Sequence, residues 1–189
     1  TAIPGLKVAM PSTAADAKGL LTTAIRDDDP VIFFEHKTLY GLQGEVPEGD
    51  YLVPFGKARI VSEGNDCTLV ATGRMVSFCE DAANALSADG ITCDIIDPRT
   101  TSPLDEDAIL DSVEKTGRLI VVDETPPRCS FAADIAALAA SEVFSSLKAP
   151  IKTVTGPHSP VPFAKELETA FLPSPVKIKT VIEQTVNFS

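Results

Sequence analysis

The chain has 189 residues, is 44% hydrophobic, and carries a formal net charge of −11 from 16 basic and 27 acidic side chains. That length and apolar content suit one full α/β domain plus part of another, with enough chain to bury a real core. The acidity argues against nucleic acid and against an anionic membrane surface as partners, though not against a basic protein, and no apolar run approaches the roughly 20 residues of a membrane span.

The opening "TAIPGLKVAMPS" lacks the basic start and long apolar middle of a secretory signal. Its "LKVAMPS" reads as a short strand ending at Pro11. Ser12 or Thr13 then caps a helix, "AADAKGLLTTAIRD", with Leu20, Leu21, Ala24 and Ile25 on one face. Three aspartates, Asp27, Asp28 and Asp29, end that helix. "PVIFFEHK" follows as a continuous apolar strand, expected to be buried on both faces as in a parallel sheet. The Gly- and Pro-rich "YGLQGEVPEGDYLVPFG" has no sustained period and reads as a linker between domains.

Beyond the linker, "KARIVSEGNDCTLVATG" reads as two strands joined by a tight turn at Gly64-Asn65. "MVSFCEDAANALSADG" is an amphipathic helix stopped by Gly90, and "ITCDIIDPR" a strand. "SPLDEDAILDSVEKTG" holds a helix with acids in its first turn and Lys115 near its end, matching the helix dipole. "RLIVVDE" is a strand, "SFAADIAALAASEVFSSL" a helix and "IKTVTG" a last strand. "FAKELETAFL" and "SPVKIKTVIEQTV" read as C-terminal helices. Repeated strand–helix units with β-branched strands predict an open, mostly parallel α/β sheet with helices on both faces. The expected division is residues 1–40, part of a first domain; 41–54, linker; and 55–189, a complete α/β domain. Neither an internal repeat nor a low-complexity stretch is present.

Chemical motifs are sparse. There is no G-x-G-x-x-G after a strand, no G-x-x-x-x-G-K-[ST] and no G-x-S-x-G, which weakens a dinucleotide enzyme, a P-loop enzyme and an α/β-hydrolase. Cys67, Cys79, Cys93 and Cys129 show no close pair of the kind zinc uses; they are expected to be buried, reduced thiols of a cytosolic protein. His36 stands at a strand end, where parallel sheets face ligand crevices, but a lone histidine there reads better as a hydrogen-bonded structural residue. His158, among Pro157, Pro160 and Pro162, reads as part of a surface loop. Asp123 and Glu124 either cap the next helix or pair with Arg128. Arg99 pairs with Asp97 or Asp105 and pins a loop near a domain interface. Taken alone, the three aspartates read as a plain helix-end turn with solvated acids.

"IPGLKVAMPSTAADAKGLLTTAIRDDDPVIFFEHKTLYG" closely resembles the beta subunits of thiamine-diphosphate-dependent 2-oxo acid dehydrogenases and acetoin dehydrogenases. "DPRTTSPLD", "RLIVVDETPPRC" and "GPHSPVPFAKELETAFLPS" continue the resemblance to the end of the chain, and "EHKTLYG" and "DETPPRCS" look more like the acetoin or bacterial pyruvate type than the branched-chain type. The resemblance implies a pyrimidine-binding domain entered late, a linker, and a transketolase C-terminal-like domain. The family's cofactor-activating glutamate and active-site histidine are expected before residue 1, so no catalytic residue is assigned. The resemblance further implies a potassium ion wrapped by the helix end, at Ala24, Ile25, Asp27 and Asp29. Asp29 stands where the family often has Asn. Thiamine diphosphate with a divalent metal would serve the intact complex. The implied partners are an alpha subunit, a second beta subunit in a heterotetramer, and the subunit-binding domain of a lipoyl acyltransferase. The expected compartment is the bacterial cytoplasm, or the mitochondrial matrix in a eukaryote. A piece of a single-chain transketolase or deoxyxylulose-phosphate synthase, and a non-catalytic interaction module, are the competing readings.

Overall fold

The strand–helix alternation builds two sheets in the computed structural model, which describes residues 1–188. The elements run β1 (Lys7–Ala9), α1 (Ala14–Arg26), β2 (Val31–Phe33), β3 (Arg59–Ser62), β4 (Cys67–Ala71), α2 (Arg74–Ser87), β5 (Cys93–Asp97), β6 (Thr100–Ser102), α3 (Glu106–Thr116), β7 (Leu119–Val122), α4 (Phe131–Glu142), β8 (Lys152–Val154), α5 (Lys165–Phe171) and α6 (Pro175–Val186). A 3-10 turn, Lys37–Gly41, follows β2. Among the described residues, no helix is long and apolar enough to cross a membrane.

The larger sheet has strand order β3-β5-β4-β7-β8. Its last four strands in that order are parallel, and β3 alone runs antiparallel, against β5. Side chains alternate across the sheet, so neighbours on β4 serve different layers. Leu69 packs with Met75, Leu86, Ile178 and Ile182 of α2 and α6. Val70 packs with Ile109, Val113, Ile135 and Ala139 of α3 and α4. With both faces covered, the strands read as unbroken apolar runs, as expected of an open sheet with helices on each side.

The smaller sheet has order β2-β1-β6. Its outer strand β6, not expected from the sequence, follows β5 of the larger sheet and pairs antiparallel with β1. Helix α1 lies over it, starting at Thr13, whose hydroxyl accepts the Asp16 amide at 3.1 Å. Its buried apolar group is small: Ala9, Leu20 and Val53, with Phe33, Tyr51 and Phe55 partly buried around it.

Three expectations are corrected. The "PVIFFEHK" strand is not buried on both faces: β2 is an edge strand of three residues, and Ile32 and Phe34 are 41% and 54% exposed. The Gly64-Asn65 turn does not make a hairpin. β3 and β4 are separated by β5, which each of them pairs. The turn crosses the start of β5 so closely that a Cβ on Gly64 would lie 2.3 Å from the Cys93 nitrogen, which is why glycine stands there. The third concerns Cys129, which is exposed, in a left-handed backbone conformation (φ 51°) just before the Ser130 cap of α4. The other three cysteines are buried, free thiols.

Candidate functional site

The carboxyl ends of the parallel strands of both sheets face one crevice. Met10 and Pro11 after β1, Phe34 and His36 after β2, Thr72 to Arg74 after β4, and Asp123 and Glu124 after β7 line a cavity of about 170 Å³. Open parallel sheets bind ligands at this end, because the turns that leave the strands there carry free backbone groups. A second cavity, about 260 Å³, lies on the other side of His36, between Ser12, Thr13 and Ala17 of the α1 start and Leu39, Tyr40 and Leu42 of the segment after β2.

Two sets of polar contacts join the two sheets. At one corner the chain leaves β5 through Asp97, Pro98 and Arg99 to enter β6. Arg99 adopts the left-handed conformation (φ 59°), which swings the chain from one sheet to the other. Its guanidinium donates to Asp16 at 3.1 Å and to the Lys57 and Ala58 carbonyls at 3.1 and 3.0 Å. Arg59 approaches both Asp16 and Asp97 at 3.4 Å, and Ser12 donates its hydroxyl to Asp97. Asp16 and Asp97 are almost wholly buried here, at 2% and 0% exposed. Burial pushes the Asp97 carboxyl above the usual carboxylate range, against the pull of Ser12 and Arg59. Arg99 thus links the two sheets, and its ionic partner is Asp16 rather than Asp97 or Asp105.

The second is a single bond at the crevice: His36 Nε2 meets Glu124 Oε2 at 2.9 Å. His36 is therefore a hydrogen-bonded residue, and Glu124 reaches it instead of Arg128. Asp123 takes the capping role: it accepts the Ala132 amide of α4 at 3.3 Å and both donors of Thr125. His158 is on the surface. The one hydroxyl on His36 is that of Thr38, whose Oγ1 lies 2.8 Å from His36 Nδ1 on the exposed segment after β2; among the described residues, no serine or cysteine is hydrogen-bonded to a histidine. The Cys67 and Cys79 thiols are held far above the ordinary thiol range, the first by the Cys93 thiol beside it and by burial, the second by burial. They are inert as nucleophiles.

The end of α1 holds the expected cation residues. Asp27 is the C-cap, and its amide donates to the Ala24 carbonyl at a long 3.4 Å. Ile25 is 76% exposed. The last carbonyls of a helix lack intrahelical donors and carry partial negative charge, a donor set that suits a hard cation. The structure also supplies a cation from the chain. Lys7 Nζ lies 2.7 Å from Asp27 and 3.0 Å from Asp29 and lowers the Asp27 carboxyl below its usual range. Lys7 was missed in the sequence because it lies 20 residues upstream; its place beside β2, across the parallel register Lys7↔Val31, brings it there. Asp16 and Arg59 were missed for the same reason. Among the described residues, no three His, Cys, Asp or Glu side chains cluster as a metal site.

A five-stranded, mostly parallel sheet with an antiparallel edge, joined to a three-stranded sheet that carries its own helix, defines an α/β protein. Residues 56–178 match the family described as "Transketolase, C-terminal domain", and residues 1–43 match "Transketolase, pyrimidine binding domain". The chain belongs to the transketolase family. It is 58% identical over 96% of its length to the "Acetoin:2,6-dichlorophenolindophenol oxidoreductase subunit beta" of Bacillus subtilis (strain 168), of which it covers 53%. It is 45% identical over 96% of its length to the "Pyruvate dehydrogenase E1 component subunit beta" of Rickettsia bellii (strain RML369-C), covering 56% of that protein. The chain thus spans about half the length of the curated relatives it matches. A solved "Split gene transketolase, inactive beta4 tetramer" superposes with a TM-score of 0.81 at 22% identity, over 98% of this chain and 58% of that one, and shares the fold.

Proposed function

We propose that the chain is the C-terminal half of a beta subunit of an acetoin- or pyruvate-type dehydrogenase component that uses thiamine diphosphate. The single observation that carries this is the 58% identity to the acetoin:2,6-dichlorophenolindophenol oxidoreductase beta subunit across nearly the whole chain. Bound thiamine diphosphate supplies an electron sink for cleaving a bond next to a carbonyl. On this reading the described residues hold the subunit together and present surfaces. On this reading residues 1–40 finish a pyrimidine-binding domain, 41–54 link, and 55–189 form the assembly domain, in a cytoplasmic heterotetramer with an alpha subunit and a second beta subunit.

The dye in the relative's name sets the assay. The complete beta subunit combined with its alpha subunit, thiamine diphosphate and a divalent metal reduces 2,6-dichlorophenolindophenol when acetoin or pyruvate is added. The 189-residue chain alone, under the same conditions, gives none. Turnover by that chain alone, or a complete pair inert with both substrates, overturns the reading.

Two further parts of the proposal concern ligands. The α1 end, through Ala24, Ile25, Asp27 and Asp29, holds potassium, which the helix-end carbonyls support. The assembly domain docks a basic partner, the subunit-binding domain of a lipoyl acyltransferase. Residues 63–114 carry twelve acidic and only two basic side chains. Glu106, Asp107, Asp111 and Glu114 of α3 are exposed, and none of them is in an ion pair among the described residues. Opposite charge speeds encounter more than it adds affinity. Association of the complete subunit with that binding domain therefore slows steeply as salt rises while dissociation barely changes. An association rate indifferent to salt removes the acidic surface from docking.

A further inference from the structure

The segment Glu35–Leu42, between β2 and the linker, contains no buried residue. Its own hydrogen bonds are local: Leu39 to the His36 carbonyl, Leu42 to the Leu39 carbonyl, and Tyr40 to Glu35. Yet Leu39, Tyr40 and Leu42 face Pro11, Ala14 and Ala17 of the α1 start across the cavity of about 260 Å³. The cavity is half open to solvent, so the segment forms one wall of it without filling it. Among the described residues, one hydrogen bond ties the segment to the large sheet: His36 Nε2 to Glu124 Oε2, 2.9 Å.

The His36 ring links that bond to the segment's own fold. Its Nδ1 accepts the Thr38 backbone N–H at 3.2 Å, which caps the 3-10 turn. A ring nitrogen that accepts carries no hydrogen, so in the neutral ring the hydrogen is on Nε2 and is donated to Glu124. One ring thus holds the turn by one edge and the large sheet by the other. The Glu124 side is equally exposed to loss, since its second oxygen, Oε1, is buried without a partner. The remaining contacts between the two sheets gather at the Asp97–Arg99 corner, where Ser12, Asp16, Arg59 and the β1–β6 pairing leave little freedom. The sheets are thus joined by a corner of several polar contacts and, apart from it, by this single bond.

We infer that Glu35–Leu42 is a strap that walls the α1 cavity, latched in place by Glu124 of the other sheet through His36. Events at the β7 end of the large sheet are coupled through this latch to access to the cavity on the small one.

Hydrogen exchange read by mass spectrometry on the full chain, in the assembly in which it is isolated, tests this. In Glu124→Ala the amides of residues 37–42 exchange roughly tenfold faster, the loss expected for one hydrogen bond to a charged group. Those of β4 and β7 do not change. In Glu124→Gln, whose side-chain carbonyl still accepts from Nε2, protection returns toward the original. His36→Ala removes the cap of the 3-10 turn together with the latch and gives a larger loss over the same residues. Unchanged exchange over 37–42 in both alanine variants overturns the latch. So does a rise spread evenly over the chain, since that reports general destabilisation.

Discussion

The two sheets share a chain but not a way of staying folded. In the large sheet, β4 and β7 are buried along their whole length and each face has its own helix layer. In the small one, three strands of three residues surround a buried apolar group of only three side chains, and Ile32 and Phe34 stand exposed. Hydrophobic stabilisation follows apolar area removed from water, so the large sheet supplies most of it. The small sheet keeps its place through polar contacts: the corner of Asp16, Arg59, Asp97 and Arg99, and the antiparallel pairing of β1 with β6. A region held by packing tolerates loss of a surface charge, whereas a region held by buried ion pairs does not.

The largest effect that follows is a core truncation. Leu69 is fully buried between β4 and the α2–α6 layer. Leu69→Ala is expected to cost about 4 kcal/mol, while Ile32→Ala on the half-exposed edge strand costs about 1 kcal/mol or less. Urea unfolding of the two variants measures both. Similar losses would mean that the small sheet is packed as tightly as the large one, and the contrast would be gone.

Next in size is the corner. Asp16 lies 3.1 Å from Arg99 and accepts the Thr13 hydroxyl at 2.7 Å. Removing it leaves the Arg99 guanidinium, 14% exposed, facing a buried gap. Asp16→Ala is expected to cost about 3 kcal/mol, the lower end for breaking a buried pair because Arg59 at 30% exposed rehydrates. Hydrogen exchange should place the loss in α1 and β1, with β7 protected. A loss confined to the large sheet would contradict the role given to the corner.

The same contrast decides what sequence could reveal. The large sheet was legible because burial on both faces writes itself as apolar runs, and its helices carry their own stops, such as Gly117 at φ 73° after Lys115. The hairpin misreading at Gly64-Asn65 came from local signals, since a tight turn looks the same whether the strands it joins pair or are parted by a third. β6 went unread because "TTS" has no apolar pattern; it exists because Arg99 turns the chain onto β1. The site was legible at strand ends, where Asp123, Glu124 and His36 were all singled out. Their partners were not, because an ion pair such as Asp16–Arg99 leaves no trace in local spacing. Family membership came from long stretches of residues, which carry more information than any one motif here.

The smallest expected effect concerns the acids of the α1 end, where the small sheet has its own cation. Lys7 already neutralises part of the Asp27 and Asp29 charge at 2.7 and 3.0 Å. A potassium ion bound by the helix-end carbonyls would therefore add to an arrangement that is partly satisfied. Binding to the folded state alone stabilises by mass action, so potassium at about ten times its dissociation constant contributes about 1.4 kcal/mol. For a chain of this size that corresponds to a rise in Tm of roughly 3–6 °C, and to about half as much in a complete subunit about twice as long. The complete beta subunit should melt higher in potassium chloride than in sodium chloride at equal ionic strength. Asp27→Ala should remove the difference. Lys7→Met should enlarge it, because the ammonium that competes for the same carboxylates is gone while the carbonyls remain. The stabilisation should appear in the exchange of β1 and the last turn of α1 and leave β4 and β7 unmoved, which a general salt effect would not do. Equal melting in the two salts, in the original chain and in Lys7→Met alike, would leave Lys7 as the cation of this turn and the acids as its counter-charges.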